Sequence, residues 1–340
     1  MPGPPVADLP RRGHRSGLAQ DRDDDRARRA HDHGERDRPV PLLEPLTDPA
    51  SARGFGAGFG RPASRGASFE GVRLAKRGAR HDNAPPVAVS IHPLAHVDPG
   101  AKLGVDVVVG PFAVIEGDCE IGDGCRVEAH AVIAAGSRIG RRNVVHSFAV
   151  IGGAPQDRRY AGEPTTLVVG DDNLFREHVT AHRGTGHGGG VTRIGSAGLF
   201  MVGVHVAHDV VVGDRVTLAN GTLLAGHVVL GDHVVTGGHV AVAPFVRVGA
   251  RAFLAGGSMV ERDVPPFVIA EGNRARVRAL NRVGLERTGV PLESRVALKR
   301  AFRALFVGEL PRAEALARLE SVSDPFVREL VAFLRALPRR

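Results

Sequence analysis

Apolar residues recur at every sixth position through the middle of the chain. The first series has eleven aliphatic members, at Ile91, Val97, Leu103, Val109, Ile115, Ile121, Val127, Ile133, Ile139, Val145 and Ile151. A second series runs from Ile194 to Val260, with Thr236 as its polar member. A six-residue repeat predicts a single-stranded, left-handed parallel β-helix, a triangular prism in which six residues form one face and eighteen form one coil.

Glycine follows the aliphatic residue at several of these steps, namely Gly104, Gly110, Gly122, Gly140 and Gly152. We expect these glycines at the corners of the prism, where the missing Cβ helps the chain to turn.

Two segments interrupt the repeat and are predicted to leave the prism as external loops, over residues 154–166 and 182–190. Between them the register resumes at Val169, Phe175 and Ala181. The second loop contains a GxGxxG pattern from Gly184 to Gly189, but the hexapeptide returns directly after it, where a dinucleotide site needs a helix. Loops on a regular solenoid are where function is expected.

The composition divides the chain into three parts. Residues 1–87 are rich in Arg, Asp, Gly and Pro without a sustained period, so we expect a disordered or mis-annotated extension. Residues 88–266 form the β-helix, which consecutive prolines at Pro265 and Pro266 are expected to end. Residues 267–340 are predicted to form a small helical domain, with helices near 274–287, 291–306, 311–321 and 324–337.

The remaining composition fits this architecture. The chain has 44 glycines, one Tyr and no Trp, which suits a narrow prism filled by aliphatic side chains. Cys119 and Cys125 are six apart, so both are predicted to be small interior fillers rather than a disulfide or a metal pair. There is no apolar run of membrane-spanning length and no signal-peptide pattern, and we therefore expect a cytoplasmic protein without a membrane span.

The net charge of +8 is concentrated at the two ends of the chain. Residues 265–340 hold 15 Lys or Arg against 8 Asp or Glu, whereas the β-helix is slightly acidic. A basic helical segment indicates an acidic partner. It carries no recognised nucleic-acid-binding motif, so nucleic acid is not the expected partner.

The candidate chemistry lies near His208. Because residues eighteen apart stack on successive coils, His208 should lie below Gly226 and Pro244, while Asp209 should lie below His227 and Phe245. A histidine beside a carboxylate and next to an accessible glycine N–H provides a general base and an oxyanion donor, which acyl transfer needs.

Two other interpretations of these histidines stay open at this point. His208 can be a structural histidine, or His205, His208 and His227 can bind a metal ion across a subunit boundary, as in a metal-dependent hydrolase. Single prisms of this kind associate through their flat faces, so a homotrimer with clefts between subunits is the natural hypothesis.

Five motifs carry a resemblance to a known family. They are the segments 156–165, 180–190, 205–209, 224–227 and 263–273, which begin QDRRYAGEPT, TAHRGT, HVAHD, LAGH and DVPP. Together they resemble the acyl-[acyl-carrier-protein]–UDP-N-acetylglucosamine O-acyltransferases, which open lipid A biosynthesis. The resemblance implies a homotrimer that needs no cofactor and no metal. It would move an (R)-3-hydroxyacyl chain from acyl carrier protein to the 3-hydroxyl of UDP-N-acetylglucosamine.

The resemblance also implies roles for particular residues. His208 would be the general base, Asp209 would orient it, and the Gly226 amide would hold the oxyanion. The remaining expected positions bind substrate: Asp157 and Arg159 in the first loop, His205 and His227 near the sugar, and Asn281 and Arg287 near the nucleotide or the pantetheine arm. Gly256 stands where the family places a residue that limits acyl length, and a glycine there implies an open tunnel and a longer acyl chain.

The chain departs from the family pattern at several positions. Ala243-Pro244 replaces a His-Gln pair, Val283 replaces an acid, Arg159 replaces a lysine and Thr288 replaces an arginine. These changes leave three alternatives: a related acyltransferase that uses another UDP-sugar, such as a 3-amino sugar, one that uses an acyl-coenzyme A donor, and a non-catalytic trimeric scaffold.

Overall fold

The computed structural model describes residues 89–337 of the chain. Within this range the hexapeptide segments form three sheets that wind around a common interior, and each short strand pairs with the strand one coil away. This arrangement is the left-handed parallel β-helix that the six-residue period predicts. The expectation for residues 1–87 falls outside the described part.

The first sheet has eleven strands. They are Ser90–Ile91 (β1), Val108–Val109 (β4), Arg126–Val127 (β7), Val144–Val145 (β10), Leu174–Phe175 (β13), Leu199–Phe200 (β16), Thr217–Leu218 (β19), Val235–Thr236 (β22), Phe253–Leu254 (β25), Val268–Glu271 (β27) and Arg276–Leu280 (β28).

The second sheet has nine strands. They are His96–Val97 (β2), Val114–Ile115 (β5), Val132–Ile133 (β8), Val150–Gly153 (β11), Thr180–His182 (β14), His205–Val206 (β17), Leu223–Leu224 (β20), Ala241–Val242 (β23) and Met259–Val260 (β26).

The third sheet has eight strands. They are Lys102–Leu103 (β3), Glu120–Ile121 (β6), Ser137–Ile139 (β9), Thr166–Val169 (β12), Val191–Ile194 (β15), Val211–Val212 (β18), Val229–Leu230 (β21) and Arg247–Val248 (β24).

The interior of the prism is filled by the residues that set the six-residue period. Leu218, Leu224 and Leu230 on successive faces are each at most 1% exposed. Cys119 and Cys125 are free thiols inside the same core, which confirms them as small interior fillers. Burial raises the pKa of the Cys119 thiol to about 11, so it is held in the unreactive protonated form.

Gly152 has the left-handed backbone that favours glycine, with φ of 88°, but the other four corner glycines are required for a different reason. A Cβ on Gly104 would lie 2.7 Å from the main-chain nitrogen of Asp123 on the next coil, and Gly110 meets Ala129 in the same way at 2.9 Å. The left-handed backbone at these corners is instead adopted by residues with side chains, such as Phe112 with φ of 60°. Contact between successive coils therefore selects these glycines.

One more parallel strand, in the first sheet, follows the prolines, whereas the second and third sheets have their last strands before them. Asp263 binds Arg247 through its side chain, Val264 bridges to Val248, and β27 then pairs in parallel with β25. The helix expected from residue 274 is wrong in its first half, because residues 276–280 form β28, which pairs antiparallel with β27. Hydrogen bonds to β27 stabilise this segment as a strand, although its sequence pattern favours a helix.

Four helices follow: Arg282–Arg287 (α1), Leu292–Phe306 (α2), Arg312–Leu319 (α3) and Pro325–Arg335 (α4). Their apolar faces form a second core around Leu298, Leu330 and Leu334, and this core includes Phe267 from the end of the prism. No helix among residues 89–337 is long and apolar enough to cross a membrane.

Candidate active site

The two external loops leave the prism at one edge, where the second sheet meets the third; we call it the loop edge. The first loop connects β11 to β12, and the second, which contains a short 3-10 turn at Gly186–Gly188, connects β14 to β15. His208 and Asp209 lie in the next turn at this edge, between β17 and β18. Both loops and the candidate base are therefore neighbours in space.

The sheet register confirms the stacking that the eighteen-residue spacing predicts. Val206 pairs with Leu224, and Leu224 pairs with Val242. The turn containing Gly226 thus lies directly above the turn containing His208. On the neighbouring column, the rings of His227 and Phe245 stack with centroids 4.5 Å apart.

His208 and Asp209 form a hydrogen-bonded pair. The distance between His208 Nδ1 and Asp209 Oδ2 is 2.8 Å. The imidazole is 13% exposed, whereas the carboxylate side chain is only 2% exposed. An imidazole whose Nδ1 donates to a carboxylate presents its Nε2 as a base, and this one can still be reached by a ligand.

The Asp209 carboxylate is held by the second loop. Thr185 donates its main-chain N–H to Oδ1 at 2.9 Å and its hydroxyl to Oδ2 at 2.6 Å. Burial opposes ionisation, but the hydrogen bonds from Thr185 and His208 outweigh it, and the pKa of Asp209 lies below its ordinary value. Asp209 is therefore a buried, fully ionised carboxylate at neutral pH.

Gly226 lies against the imidazole of His208. A Cβ at this position would come within 2.8 Å of His208 Nε2, so no larger residue fits beside the ring as it stands. Within residues 89–337, the Gly226 N–H donates to no main-chain or side-chain acceptor. A donor that is free for a ligand therefore lies beside the candidate base.

Three further histidines surround this pair. His227 lies edge-to-face with His208 at 5.3 Å between centroids, and His205 lies edge-to-face with His182 at 5.1 Å. His182 hydrogen-bonds Ala154 O through Nδ1 at 2.6 Å. Burial lowers the pKa of His182, His205 and His227, so these rings are neutral near pH 7.

The first loop brings Asp157 and Arg159 to the same edge. Arg159 binds the Asp157 carboxylate through its guanidinium and its main-chain N–H, and these bonds hold the pKa of Asp157 well below its usual range. His187 of the second loop lies 3.3 Å from Asp157 through its Nε2. Predicted binding residues from one loop therefore contact the other loop.

The other predicted binding residues lie on different edges of the prism. Gly256 is in the turn from β25 to β26, where the first sheet meets the second. Asn281 caps α1 near the edge where the third sheet meets the first, accepting from Gly284 N at 3.0 Å and donating to Arg251 O at 2.8 Å. Arg287 is the last residue of α1. One chain therefore does not bring Gly256, Asn281 or Arg287 to His208.

The set of candidate metal ligands differs from the one expected. His208, Asp209 and His227 offer three ligand atoms within 4.8 Å of one another. His205 is not in this group, and its Nδ1 lies 2.8 Å from the Thr180 hydroxyl. The distance between His208 Nδ1 and Asp209 is that of an imidazole–carboxylate hydrogen bond.

The sequence did not single out the residues that support Asp209. Thr185 and Thr192 are both fully buried, and Thr192 Oγ1 accepts the Asp209 N–H at 2.8 Å. Gly188 faces the carboxylate so closely that a Cβ there would overlap it. The sequence signals were the TAHRGT motif, which ends on Thr185, and the run of glycines that follows it in the second loop.

Two family models match the chain. One, described as UDP-N-acetylglucosamine O-acyltransferase domain 2, covers residues 263–340. The other, the bacterial transferase hexapeptide of six repeats, matches residues 100–135 and 118–153.

Curated and solved relatives cover both parts together. The acyl-[acyl-carrier-protein]–UDP-N-acetylglucosamine O-acyltransferase of Herminiimonas arsenicoxydans is 43% identical over 255 residues, which are 73% of this chain and 97% of that protein. Its counterpart in Stenotrophomonas maltophilia is 48% identical over 239 residues, which are 70% and 89% of the two chains.

Solved structures agree with this assignment. The crystal structure of UDP-N-acetylglucosamine O-acyltransferase from Moraxella catarrhalis is 38% identical, with a TM-score of 0.71, and covers 74% of this chain and 98% of its own. The Arabidopsis UDP-N-acetylglucosamine acyltransferase is 33% identical, with a TM-score of 0.64 and the same coverage. The chain therefore belongs to the acyl-[acyl-carrier-protein]–UDP-N-acetylglucosamine O-acyltransferase family.

Proposed function

We propose that the protein transfers an (R)-3-hydroxyacyl chain from acyl carrier protein to the 3-hydroxyl of UDP-N-acetylglucosamine, the first step of lipid A biosynthesis. One observation carries the proposal: a histidine bonded to a buried carboxylate at 2.8 Å lies beside the unengaged N–H of Gly226. This arrangement supplies a base and an oxyanion donor next to each other, as acyl transfer requires. Family membership supports the choice of substrates.

In the proposed reaction, His208 Nε2 removes the proton of the sugar 3-hydroxyl while Asp209 stabilises the imidazolium that forms. The oxygen attacks the thioester carbonyl, and the Gly226 N–H donates to the oxyanion of the tetrahedral intermediate. Collapse of this intermediate breaks the carbon–sulfur bond, and the pantetheine thiolate takes the proton back from His208. The products are the sugar ester and the free thiol of acyl carrier protein.

The loop edge supplies the proposed contacts to the sugar. Asp157 is ionised, which suits a carboxylate that accepts hydrogen bonds from sugar hydroxyls. Arg159 is 69% exposed and remains close to it, so it can reach a phosphate or a sugar oxygen. His205 and His227 complete the pocket with neutral rings.

We further propose a homotrimer, because the predicted site is divided among three edges of the prism. A neighbouring prism can place two parts across from the loop edge: the edge between its first and second sheets, with Gly256, and its helical region, with Asn281 and Arg287. Both polar side-chain atoms of Asn281 form hydrogen bonds within its own chain, and these bonds fix the position of the side chain. A ligand would contact the side of Asn281 that remains accessible. Both proposed substrates are water-soluble, in line with the cytoplasmic location expected from the sequence.

A second acceptor is favoured by one observation. Pro244 stacks above Gly226 and has no N–H, and Ala243 beside it has no polar side chain. The upper part of the pocket therefore offers the sugar fewer hydrogen-bond donors than the His-Gln pair of the family pattern would. A 3-amino analogue of UDP-N-acetylglucosamine, acylated on nitrogen by the same base, is the alternative substrate.

The test is an acyl-transfer assay with purified protein, read by mass spectrometry. Acceptors are UDP-N-acetylglucosamine and its 3-amino-3-deoxy analogue, and donors are (R)-3-hydroxyacyl carrier proteins of graded length together with the matching coenzyme A thioesters. Product with the ordinary sugar supports the proposal, and product only with the amino sugar changes the acceptor. Absence of product with every pair contradicts the proposal and supports the scaffold.

His208→Ala tests the mechanism in the same assay. We expect turnover to fall by ~10²-fold or more, as is typical when a general base is lost. His96→Ala is the matched control, since His96 is an exposed histidine of the first coil. Turnover near that of the unmodified protein in His208→Ala would remove this residue from the mechanism, and metal analysis of both proteins tests the hydrolase alternative.

A further inference from the structure

We propose that Thr185, in the second external loop, is a positioning residue for the general base, acting through Asp209. This inference rests on the proposed function and adds to it a residue that does not touch substrate. The geometry carries it: the Thr185 hydroxyl lies 2.6 Å from Asp209 Oδ2, the same oxygen that lies 2.8 Å from His208 Nδ1.

The contacts of Thr185 fix the carboxylate in one orientation. Its N–H donates to Oδ1 and its hydroxyl donates to Oδ2, so each carboxylate oxygen has a donor from the same residue. The Thr192 hydroxyl accepts the main-chain N–H of Asp209 from the coil below. Rotation of the Asp209 side chain would break at least one of these bonds and leave a buried donor unpaired, which is costly.

The second loop is itself built to hold Thr185 in place. The Thr185 hydroxyl accepts from Gly188 N at 3.1 Å, which closes the 3-10 turn, and Gly188 presents only hydrogen atoms to the carboxylate. The first loop supports this turn, because Glu163 Oε1 accepts from Gly186 N at 3.1 Å. His187 lies 3.3 Å from both the Thr185 hydroxyl and Asp157, so it joins the sugar-binding carboxylate to the same network.

The chain of contacts therefore runs from Asp157 through His187 and Thr185 to Asp209 and His208. Thr185 is fully buried, and its hydroxyl hydrogen is directed to a carboxylate whose charge has to be balanced. Without the hydrogen bond from the Thr185 hydroxyl, the negative charge of Asp209 interacts more strongly with His208. The imidazolium then becomes easier to form, and the orientation of the ring becomes less fixed.

The experiment compares Thr185→Val, Thr185→Ser and Thr222→Val in the full chain. Thr185→Val keeps the shape and the N–H but removes the hydroxyl, whereas Thr185→Ser keeps the hydroxyl. Thr222→Val is the matched control, because Thr222 is also fully buried and, among residues 89–337, its hydroxyl bonds only Ala219 O and Thr236 inside the prism. Each variant is assayed for kcat and for KM toward the UDP-sugar as a function of pH.

In Thr185→Val we expect kcat to fall roughly 10- to 100-fold with little change in KM, as for loss of a hydrogen bond to a charged group. The acidic limb of kcat/KM should move to higher pH, because the base becomes easier to protonate. His182, His205 and His227 are titratable rings that interact electrostatically with His208, and they are the same in every variant. Thr185→Ser should restore kcat and the acidic limb of kcat/KM to their original values, and Thr222→Val should change neither.

A second measurement does not depend on turnover. Protein labelled with ¹³C at the histidine Cε1 reports the titration of His208 by NMR, with His208→Gln used for assignment. We expect the His208 midpoint to rise in Thr185→Val alone. If the unmodified protein transfers no acyl group, the proposed function fails, while this titration still decides the role of Thr185.

Several results would overturn the inference. They are an unchanged pH limb and His208 midpoint in Thr185→Val, failure of Thr185→Ser to restore them, or the same shift in Thr222→Val. If Thr185→Val does not fold, Gly188→Ala replaces it, because the added Cβ pushes the Asp209 carboxylate away from its place. Gly188→Ala should then lower kcat and move the His208 midpoint, and unchanged values would contradict the inference.

Discussion

The α-carbon of Gly226 lies so close to the imidazole of His208 that a Cβ on Gly226 would stand 2.6 Å from His208 Cε1. The ring would then have to move, and its bond to Asp209 and its place beside the Gly226 N–H would be lost together. Successive coils thus fix the candidate base from above as well as from the side.

Gly226→Ala is expected to lower turnover by ~10²-fold or more, because it displaces the general base. The fold should persist, since the Gly226 backbone is not in the left-handed region that disfavours alanine. Initial rates measure the loss of turnover, and thermal unfolding by circular dichroism measures whether the fold persists. An alanine variant with normal turnover would show that the ring position does not matter for the reaction.

His182→Asn is expected to flatten the dependence of thermal stability on pH. Burial lowers the pKa of His182 in the folded chain. Below about pH 6.5, His182 is therefore protonated in the unfolded chain before it is protonated in the folded chain. Stability is therefore fully present above that pH and is lost as the pH falls. Asparagine can still donate to Ala154 O, which His182 Nδ1 approaches at 2.6 Å, but it does not titrate.

The measurement is the melting temperature from pH 5 to pH 7 for both proteins. His205 and His227 also have lowered pKa values and stay in the variant, so the slope should decrease without vanishing. An equal slope in the two proteins would mean that His182 is not the buried neutral ring that the structure indicates.

Much of the architecture could be predicted from sequence because one physical rule controls it. A strict six-residue period specifies both the faces and the vertical neighbours, so the stacking of Gly226 over His208 followed from spacing alone. The same rule located the two loops, since a loop is where the period stops. The pairing of β28 could not be predicted, because residues 276–280 carry a helical pattern that only the neighbouring strand overrides.

The candidate site was predictable only where it lies on the repeat. Thr185 is in a loop, 24 residues from Asp209, and no period connects the two. Asn281 was expected from the family resemblance to face a ligand, and its function as the cap of α1 depends on Gly284 and Arg251 O being within reach. Loop and cap contacts depend on how the loops and helix ends fold onto the prism, and the six-residue period does not determine this.

Asp324→Ala is expected to destabilise the helical region by about 1–2 kcal/mol, the usual cost of losing a helix N-cap. Asp324 accepts from Phe326 N and Val327 N at 3.0 Å each and from the buried Ser294 hydroxyl at 2.6 Å. Urea unfolding measures the change. Glu314→Ala is the control, because its exposed pair with Arg318 should contribute no more than about 0.5 kcal/mol. Equal effects in the two variants would contradict the capping role.

Gly256→Met is expected to shift the preferred donor to a shorter acyl chain. Gly256 is an exposed turn residue, and a Cβ built there meets its nearest atom, Gly238 O, at 3.3 Å, so a side chain can be added with a small adjustment. Gly256 lies between the first and second sheets, on a different edge from His208. An effect on acyl length therefore requires the Gly256 edge of one subunit to face the loop edge of another. The donor panel used in the acyl-transfer assay measures the preference, and size-exclusion chromatography with light scattering measures the oligomeric state. A trimer whose preference is unchanged would show that Gly256 does not border the acyl chain, whereas a shortened preference places the chain in a cleft between two subunits.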